Sequence, residues 1–257
     1  MLIEPTQEKL LSLRLPAMAH TWKTQQEDPR SAALAFDERF GMLVDAEWME
    51  RQNKRLTRSL REAQLRIRNA CIEDVQTSTP RGLEKKLVRE LSSCQWVHAH
   101  HQVTITGPSG VGKTYIACAL AQQACRRGYR ALYRRAPRLL DELLLARADG
   151  SYAQRLARIA RVDVLVIDDF GLTPLDEAQR RDLLEVIEDR YAQRSTILCS
   201  QLPTERWHEH IGDATIADAI CDRLLHNAHR IALRGGSRRR PGANEEPEAA
   251  ELSSAQE

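Results

Sequence analysis

The chain has 257 residues, and its 38 Lys and Arg nearly balance its 36 Asp and Glu, for a formal net charge of +2. This length allows one or two domains with a sizeable core. No apolar run is long enough to span a bilayer, and the first residues do not form a signal peptide. Six scattered cysteines without a C-x-x-C pair predict neither zinc nor a disulfide framework. We therefore expect a cytoplasmic protein that does not enter a membrane.

The small net charge conceals segregated charges. Basic residues cluster in 54–68, 126–138 and 234–240, and residues 245–257 are acidic. Each basic cluster is a candidate contact for nucleic acid, and the alternative is a solvated helix face. The acidic segment belongs to a tail, 241–257, that we expect to be disordered.

The N-terminal region, residues 1–75, is predicted to be a small all-α domain. Apolar residues recur at helical spacing over 34–72. Because this region contains no phosphate or metal motif, we interpret it as an adaptor that binds a partner. A turn-rich linker over 77–82 and a helix over 83–91 lead into a second domain, which we delimit as 76–240.

A predicted strand over 102–106 runs directly into a complete G-x-x-x-x-G-K-[ST] loop. Backbone N–H groups of such a loop surround the phosphates of a nucleoside triphosphate, and the helix that follows presents its positive end to them. The lysine reaches the β- and γ-phosphates, and the threonine hydroxyl is a ligand for Mg²⁺. The alternative is a glycine-rich turn without a ligand. The predicted nucleotide contacts are Gly107, Pro108, Ser109, Gly110, Val111, Gly112, Lys113, Thr114 and Tyr115.

A second apolar strand, over 162–168, ends in the pair Asp168-Asp169. Carboxylates at the end of a buried strand are costly unless they serve a site, although they could simply begin a loop. With Thr114, Asp168 is expected to hold Mg²⁺, and Asp169 to polarise the water that attacks the γ-phosphate. Because Asp is one methylene shorter than the Glu common at this position in such ATPases, slower hydrolysis is expected.

Further strands are predicted over 129–133, 195–200 and 231–233, with helices over 139–147, 152–159 and 176–193 between them. This alternation predicts an α/β fold with a parallel sheet flanked by helices. Ser200 ends a strand beside the acidic pair and is the preferred candidate for orienting the attacking water, ahead of Gln201. Polar strand ends are also common simply because loops begin there.

Arg223 lies in a predicted helix well past the catalytic strands. In an oligomeric ATPase such an arginine enters the neighbouring subunit's site and neutralises charge in the transition state. The alternative is a surface salt bridge with Asp218 or Asp222. Two histidine groups, 98–101 and 226–229, lack carboxylate or thiolate partners in sequence, so no metal other than Mg²⁺ is expected.

Six segments together resemble the IstB-like family, AAA+ helper ATPases carried by insertion sequences and related to DnaC helicase loaders and the DnaA initiator. These segments are LRLPAM (13–18), GPSGVGKT (107–114), VLVIDDFGLTPL (164–175), SQLPTERW (200–207), DRLLHNAHRI (222–231) and GGSRR (235–239). The resemblance implies ATP and Mg²⁺ as cofactors, self-association into a ring or helical oligomer on double-stranded DNA, and recruitment of a DDE-type transposase.

The resemblance also implies residue roles. It makes Arg223 the arginine finger and an arginine of 237–239, taken as Arg239, a second sensor. Because related initiators place DNA-facing helices after the second strand, it favours Arg134, Arg135 and Arg138 as DNA contacts. Tyr115 departs from the family, which often has His there, and the tail after Pro241 matches nothing in it.

Two alternative functions remain open. A DnaC-like helicase loader would share the whole ATPase core and differ only in the partner bound by residues 1–75. A small-molecule P-loop kinase would need a mobile Arg-rich lid and an acceptor pocket, and would not need an arginine finger in trans.

Overall fold

The computed structural model describes residues 3–77 and 81–238, so the predicted second sensor Arg239 and the acidic tail lie outside the described residues. Contacts divide the chain into two compact units between Arg58 and Ser59. This division lies upstream of the boundary at residue 75 expected from the sequence. Its physical reason is that Leu65, Ala70 and Ile72 are buried in the second unit.

The first unit contains α1 (Ile3–Ser12), α2 (Pro16–Glu27) and most of α3 (Phe36–Ala63). The carboxylate of the buried Glu47 accepts hydrogen bonds from the backbone N–H groups of Ala17 and Met18, at 3.0 and 3.2 Å. A negative charge here satisfies free N–H groups at the start of α2 and interacts favourably with its dipole. Helix α3 is shorter than the helical region predicted over 34–72, because Gln64 adopts a left-handed backbone conformation that ends it.

The second unit is built on one parallel sheet, in the order β2-β3-β4-β1-β5. The predicted fold class is thereby confirmed. Three strands differ from the prediction in where they begin and end, namely those predicted over 129–133, 162–168 and 231–233. The hydrophobic pattern of a strand does not mark its terminal residues, so its ends are poorly defined by the sequence. The observed strands are β1 (Gln102–Thr106), β2 (Ala131–Arg135), β3 (Val164–Phe170), β4 (Ser195–Ser200) and β5 (Ala228–Ala232).

Helices cover both faces of this sheet and have clear local start signals. The helix after β3 begins with a capping box in which Asp176 and Gln179 each bond the other's backbone N–H. Asp213 caps a later helix through the N–H of Ile216 at 2.9 Å. The helices are α4 (Lys85–Ser92), α5 (Gln95–His98), α6 (Lys113–Arg126), α7 (Ala136–Ala148), α8 (Tyr152–Ala160), α9 (Glu177–Arg190), α10 (Trp207–Ile211) and α11 (Ala214–Leu225).

The last residue of α9, Arg190, is buried to 1% exposure. Its guanidinium donates to the carbonyl oxygens of Ile159 (2.8 Å), Val162 (2.9 Å) and Ser195 (2.5 Å), and to the hydroxyl of Thr196 (3.1 Å). Burial lowers the pKa of Arg190 to about 9. The side chain therefore ties the end of α8 to the start of β4 from inside the protein.

Candidate nucleotide-binding site

The glycine-rich loop connects β1 to α6 at the carboxyl edge of the sheet. Gly107, Gly110 and Gly112 all adopt positive φ, at 143°, 85° and 101°. A β-carbon at Gly107 would overlap the carbonyl oxygen of Leu233, and one at Gly110 would overlap the hydroxyl of Ser237. The glycines are therefore required by both backbone conformation and close packing, and α6 begins at the loop's lysine as a phosphate-binding helix must.

Lys113 lies within the curve of this loop and is only 8% exposed. Its ammonium donates to the carbonyl oxygens of Gly107 and Pro108, both at 2.7 Å. This geometry holds the cation at the centre of the loop, directly beside the N-terminus of α6.

Asp168 on β3 is 1% exposed and accepts several hydrogen bonds. One oxygen, Oδ2, accepts from the Thr114 hydroxyl at 2.8 Å and from the Tyr133 phenol at 2.7 Å, and the other accepts from the N–H of Asp169 at 2.9 Å. Burial, and then the bond to Asp168, raise the pKa of Tyr133, so its phenol stays a neutral donor. Thr114 and Asp168, the two residues expected to hold Mg²⁺, thus lie in hydrogen-bonding contact, and Tyr133 is a further member of the network.

Asp169 follows in a left-handed conformation, with φ of 60°, where the register between β3 and β4 is interrupted. Its carboxylate accepts from Arg135 Nε at 2.6 Å and lies 3.5 Å from an Arg66 guanidinium nitrogen. Two cations therefore hold the carboxylate that was predicted to polarise water.

Lys113, Thr114 and Asp169 line a cavity of about 400 Å³, within the range of ligand pockets. Its lining combines the phosphate loop with residues of 67–76, with Arg81 and with Arg238 near the end of the described chain. The lining residues are Ile67, Asp74, Val75, Gln76, Arg81, Ser109, Gly110, Gly112, Lys113, Thr114, Tyr115, Ile116, Asp169, Gln201 and Arg238.

The sequence profile of the IstB-like ATP-binding proteins matches residues 8–245 of this chain. The chain belongs to this family. A protein of Sinorhizobium fredii named as an insertion-sequence ATP-binding protein is 48% identical over 240 residues, which cover 93% of this chain and 98% of that protein. A Pseudomonas fluorescens protein named as the ATP-binding protein of insertion sequence IS1162 is 48% identical over 204 residues, covering 79% and 88%.

Solved structures of replication proteins share the fold. The DnaC helicase loader superposes with a TM-score of 0.54 at 19% identity, covering 65% of this chain and 97% of its own. The DnaA initiator bound to AMPPCP and single-stranded DNA superposes with a TM-score of 0.55 at 17% identity, covering 67% and 52%. The second unit thus shares the fold of these DnaC and DnaA domains and carries the phosphate loop of an IstB-like protein. In the described residues, no helix is long and apolar enough to cross a membrane.

Arg81 in the cavity of the IstB-like protein was not identified from the sequence, whereas Arg238 belongs to 237–239, the segment expected to contain the second sensor. Arg81 donates to the carbonyl oxygens of Gln76 and Val111, both at 2.6 Å. Burial, and then the charge of Arg238, lower the pKa of Arg81. Arg238 donates to the Gln76 side chain at 2.5 Å, and its backbone N–H donates to Gly110 at 3.0 Å. Two mutually repelling cations at one cavity favour an anionic ligand.

Ser200 and Gln201 occupy different surroundings. Ser200 lies on β4 between β1 and β3, as expected, but its hydroxyl donates to the carbonyl of Phe170 at 2.8 Å and accepts from the N–H of Leu202 at 3.0 Å. Gln201 lines the cavity and Ser200 does not. The geometry therefore favours Gln201, the weaker candidate from the sequence.

Four other predicted arginines lie outside the cavity lining: Arg134, Arg135, Arg138 and Arg223. Arg223 on α11 forms an ion pair with Glu188 at 2.7 Å. Its partner is thus neither Asp218 nor Asp222, the two aspartates suggested by the sequence. Arg134 pairs with Glu142 at 3.2 Å, and its side chain is only 12% exposed. Arg138 pairs with the same glutamate at 3.3 Å but is 76% exposed. Of the three predicted DNA contacts, only Arg138 presents its guanidinium largely to solvent.

Proposed function

We propose that this IstB-like protein is an ATP-dependent, DNA-binding helper that assembles on target DNA and recruits a DDE-type transposase, with ATP hydrolysis as the switch. The observation that carries the proposal is the cavity, which is lined by the phosphate loop, Asp169 and Arg238, with Asp168 bonded to the lining residue Thr114. Membership in a family whose relatives are named for insertion sequences supports the biological setting.

The cavity suits a nucleoside triphosphate. Its phosphates would lie on the loop against Lys113 and the N-terminus of α6, and the paired cations Arg81 and Arg238 would be neutralised by the same anion. Apolar Ile67 and Val75 are available to contact the base.

The ligand set beside the phosphate loop also fits Mg²⁺. Thr114 and Asp168 present a hydroxyl and a carboxylate 2.8 Å apart, the hard oxygen donors this ion prefers. When bound, the ion would neutralise charge on the phosphates. Tyr133 orients Asp168 for this role by donating to the same oxygen.

Hydrolysis requires Asp169 to become available to a water molecule. In the observed arrangement Arg135 and Arg66 engage its carboxylate, so the active arrangement must separate these groups. Gln201 is the cavity residue suited to orient the same water. Arg223, on α11 and away from its own cavity, would then supply the finger to a neighbouring subunit of a ring or helical oligomer.

The first unit offers a surface for the transposase. Phe36, Phe40, Val44 and Trp48 recur every four residues along α3, and their exposed fractions are 77%, 51%, 43% and 62%. We name these four residues the α3 stripe. Exposed aromatic residues in a contiguous row are typical of protein interfaces. A helicase loader would use the same surface for a replicative helicase.

The decisive experiment is affinity capture by the full-length protein with ATP analogue and duplex DNA, against the cognate transposase and a replicative helicase in parallel. We expect capture of the transposase alone, lost in the Phe40→Ser, Trp48→Ser variant. Leu145→Ser on α7, at an equally apolar and 67% exposed residue, is the matched control. Capture of the helicase alone would establish the loader alternative, and a phosphorylated small product would establish the kinase.

A further inference from the structure

A second cavity, of about 540 Å³, lies at the edge of the sheet opposite the phosphate loop. It is formed where β2 begins, where α8 ends, and where α3 ends within the second unit. We name it the basic cleft. Its lining residues are Ser59, Glu62, Arg130, Ala131, Leu132, Gln154, Ala157, Arg158, Arg161 and Val162.

Three arginines of the basic cleft face a single lining carboxylate, Glu62. Arg130, Arg158 and Arg161 are all exposed. Across residues 3–77 and 81–238, no carboxylate lies within ion-pair distance of these three guanidinium groups. The nearby Asp163 is engaged otherwise, since it accepts the backbone N–H of Arg130 at 2.8 Å and lies 3.7 Å from Arg194.

The local sequence concentrates this positive charge. Residues 152–161 contain Arg155, Arg158 and Arg161 and no acidic residue. Helix α8 therefore supplies no carboxylate that could pair with these arginines. Arg130, just before β2, donates to the carbonyl oxygen of Arg161 at 2.6 Å, and this bond holds its side chain beside the end of α8. The guanidinium groups thus form one cationic site although they come from separate elements.

We propose that the basic cleft binds the phosphate backbone of duplex DNA. One guanidinium group can donate two parallel hydrogen bonds to a phosphate. The arginines of the basic cleft need not break an ion pair to form these bonds. Arg134 and Arg135, by contrast, would have to leave Glu142 and Asp169. Because phosphate contacts carry no base information, binding through the cleft is independent of sequence. This inference rests on the proposed DNA-binding function and locates its contact surface.

The test measures duplex affinity of the full-length protein with ATP analogue as a function of salt. The cleft variant is Arg130→Gln, Arg158→Gln, Arg161→Gln. Its control removes the same charge from three exposed arginines elsewhere in the second unit: Arg89→Gln, Arg181→Gln, Arg206→Gln. Each phosphate contact contributes about 0.9 to the slope of log affinity against log salt, so the cleft variant should lose roughly 2.7 units and bind at least about tenfold more weakly.

Nucleotide affinity distinguishes a lost contact from a lost fold. The cleft variant should bind ATP analogue as wild type does, because the phosphate loop lies at the other edge of the sheet. A single Arg158→Glu variant, changing an exposed side chain without an ion pair, should show the same direction of effect if the triple variant unfolds.

Several outcomes would overturn the inference. If wild type binds duplex and the cleft variant matches the control, DNA binding stands but its contacts lie elsewhere. If wild type binds no duplex, the DNA-binding part of the proposed function falls together with the cleft. If wild type with its phosphate loop saturated by ATP analogue binds inorganic triphosphate more tightly than duplex, and only the cleft variant loses that binding, the cleft is a free polyphosphate site and the DNA assignment is wrong.

Discussion

Arginines at the two edges of one parallel sheet have opposite surroundings. At the carboxyl edge, Arg135 contacts Asp169, and neighbouring Arg134 contacts Glu142. At the opposite edge, the basic-cleft arginines, Arg158 among them, lack carboxylates at ion-pair distance within the described chain. The same sequence cluster, 126–138, contributes to both edges. Clustering of basic residues in the sequence is therefore a poor guide to anion contacts. The better guide is whether each guanidinium group already has a carboxylate at ion-pair distance.

The largest expected effect concerns Arg223, which contacts Glu188 outside the cavity lining. If this arginine controls ATP hydrolysis, an ion pair in one subunit does not exclude contact with an anion in another. We expect Arg223→Ala to bind ATP almost normally but to hydrolyse it about 10³-fold more slowly, because a finger meets charge that develops in the transition state. Mixing this variant with Lys113→Ala should restore some turnover, since one interface then combines an intact finger with an intact loop. Steady-state hydrolysis of the mixture measures this. Absence of recovery in proven mixed oligomers would place the action of Arg223 within its own subunit.

At the carboxyl edge itself, binding and turnover should separate. Lys113→Ala should weaken ATP binding by about a hundredfold, since charge-assisted hydrogen bonds to the phosphates are lost. Asp169→Asn should bind ATP normally and lose about a hundredfold or more in turnover, because only the water-polarising group is removed. Isothermal titration and hydrolysis assays measure the two effects. Equal ATP affinity in wild type and Lys113→Ala would refute the phosphate-loop assignment.

Tyr133→Phe tests the network behind Asp168. A hydrogen bond to a charged group is lost while the aromatic packing remains, so the free energy of unfolding should fall by about 1–2 kcal/mol. Urea denaturation measures this change, and Tyr129→Phe, which is partly exposed, is the control. An unchanged unfolding midpoint would mean that the phenol does not stabilise the carboxylate.

Arg135→Gln has the smallest expected effect and tests most directly the difference between the arginines at the two edges of the sheet. Freeing Asp169 from its closest cation should raise hydrolysis without DNA a few-fold, while duplex affinity stays within about twofold of wild type. Arg138→Gln, which breaks only an exposed pair with Glu142, should change neither quantity. A loss of duplex affinity as large as that of the cleft variant would erase the difference between the two edges.

The sequence predicted what depends on local pattern. The strand–loop–helix around Lys113, the buried strand that carries Asp168 and the parallel sheet follow from spacing and apolar runs, and all are present, although this strand runs on to Phe170. Family membership, inferred from motifs such as residues 222–231, is confirmed.

What escaped prediction depends on contacts distant in the chain. Arg81 reaches the cavity because Gly82, with φ of 78°, packs against the carbonyl of Ala232, where a β-carbon would overlap. No spacing rule links these positions. Likewise, Ser200 looked suitable because it ends a strand, but its bond to Phe170 is visible only when two strands are aligned. The bond between Arg135 and Asp169 is equally non-local.

The deeply buried Arg190 has a consequence for association. Its bonds to the carbonyls of Ile159 and Val162 hold the backbone on both sides of Arg161 and next to Arg158 before any ligand arrives. Binding to a loose segment would cost the entropy of ordering that backbone, whereas here only side-chain rotamers remain to be fixed. The buried Arg190, which does not line the basic cleft, thus preorganises the backbone that carries the two cleft arginines Arg158 and Arg161.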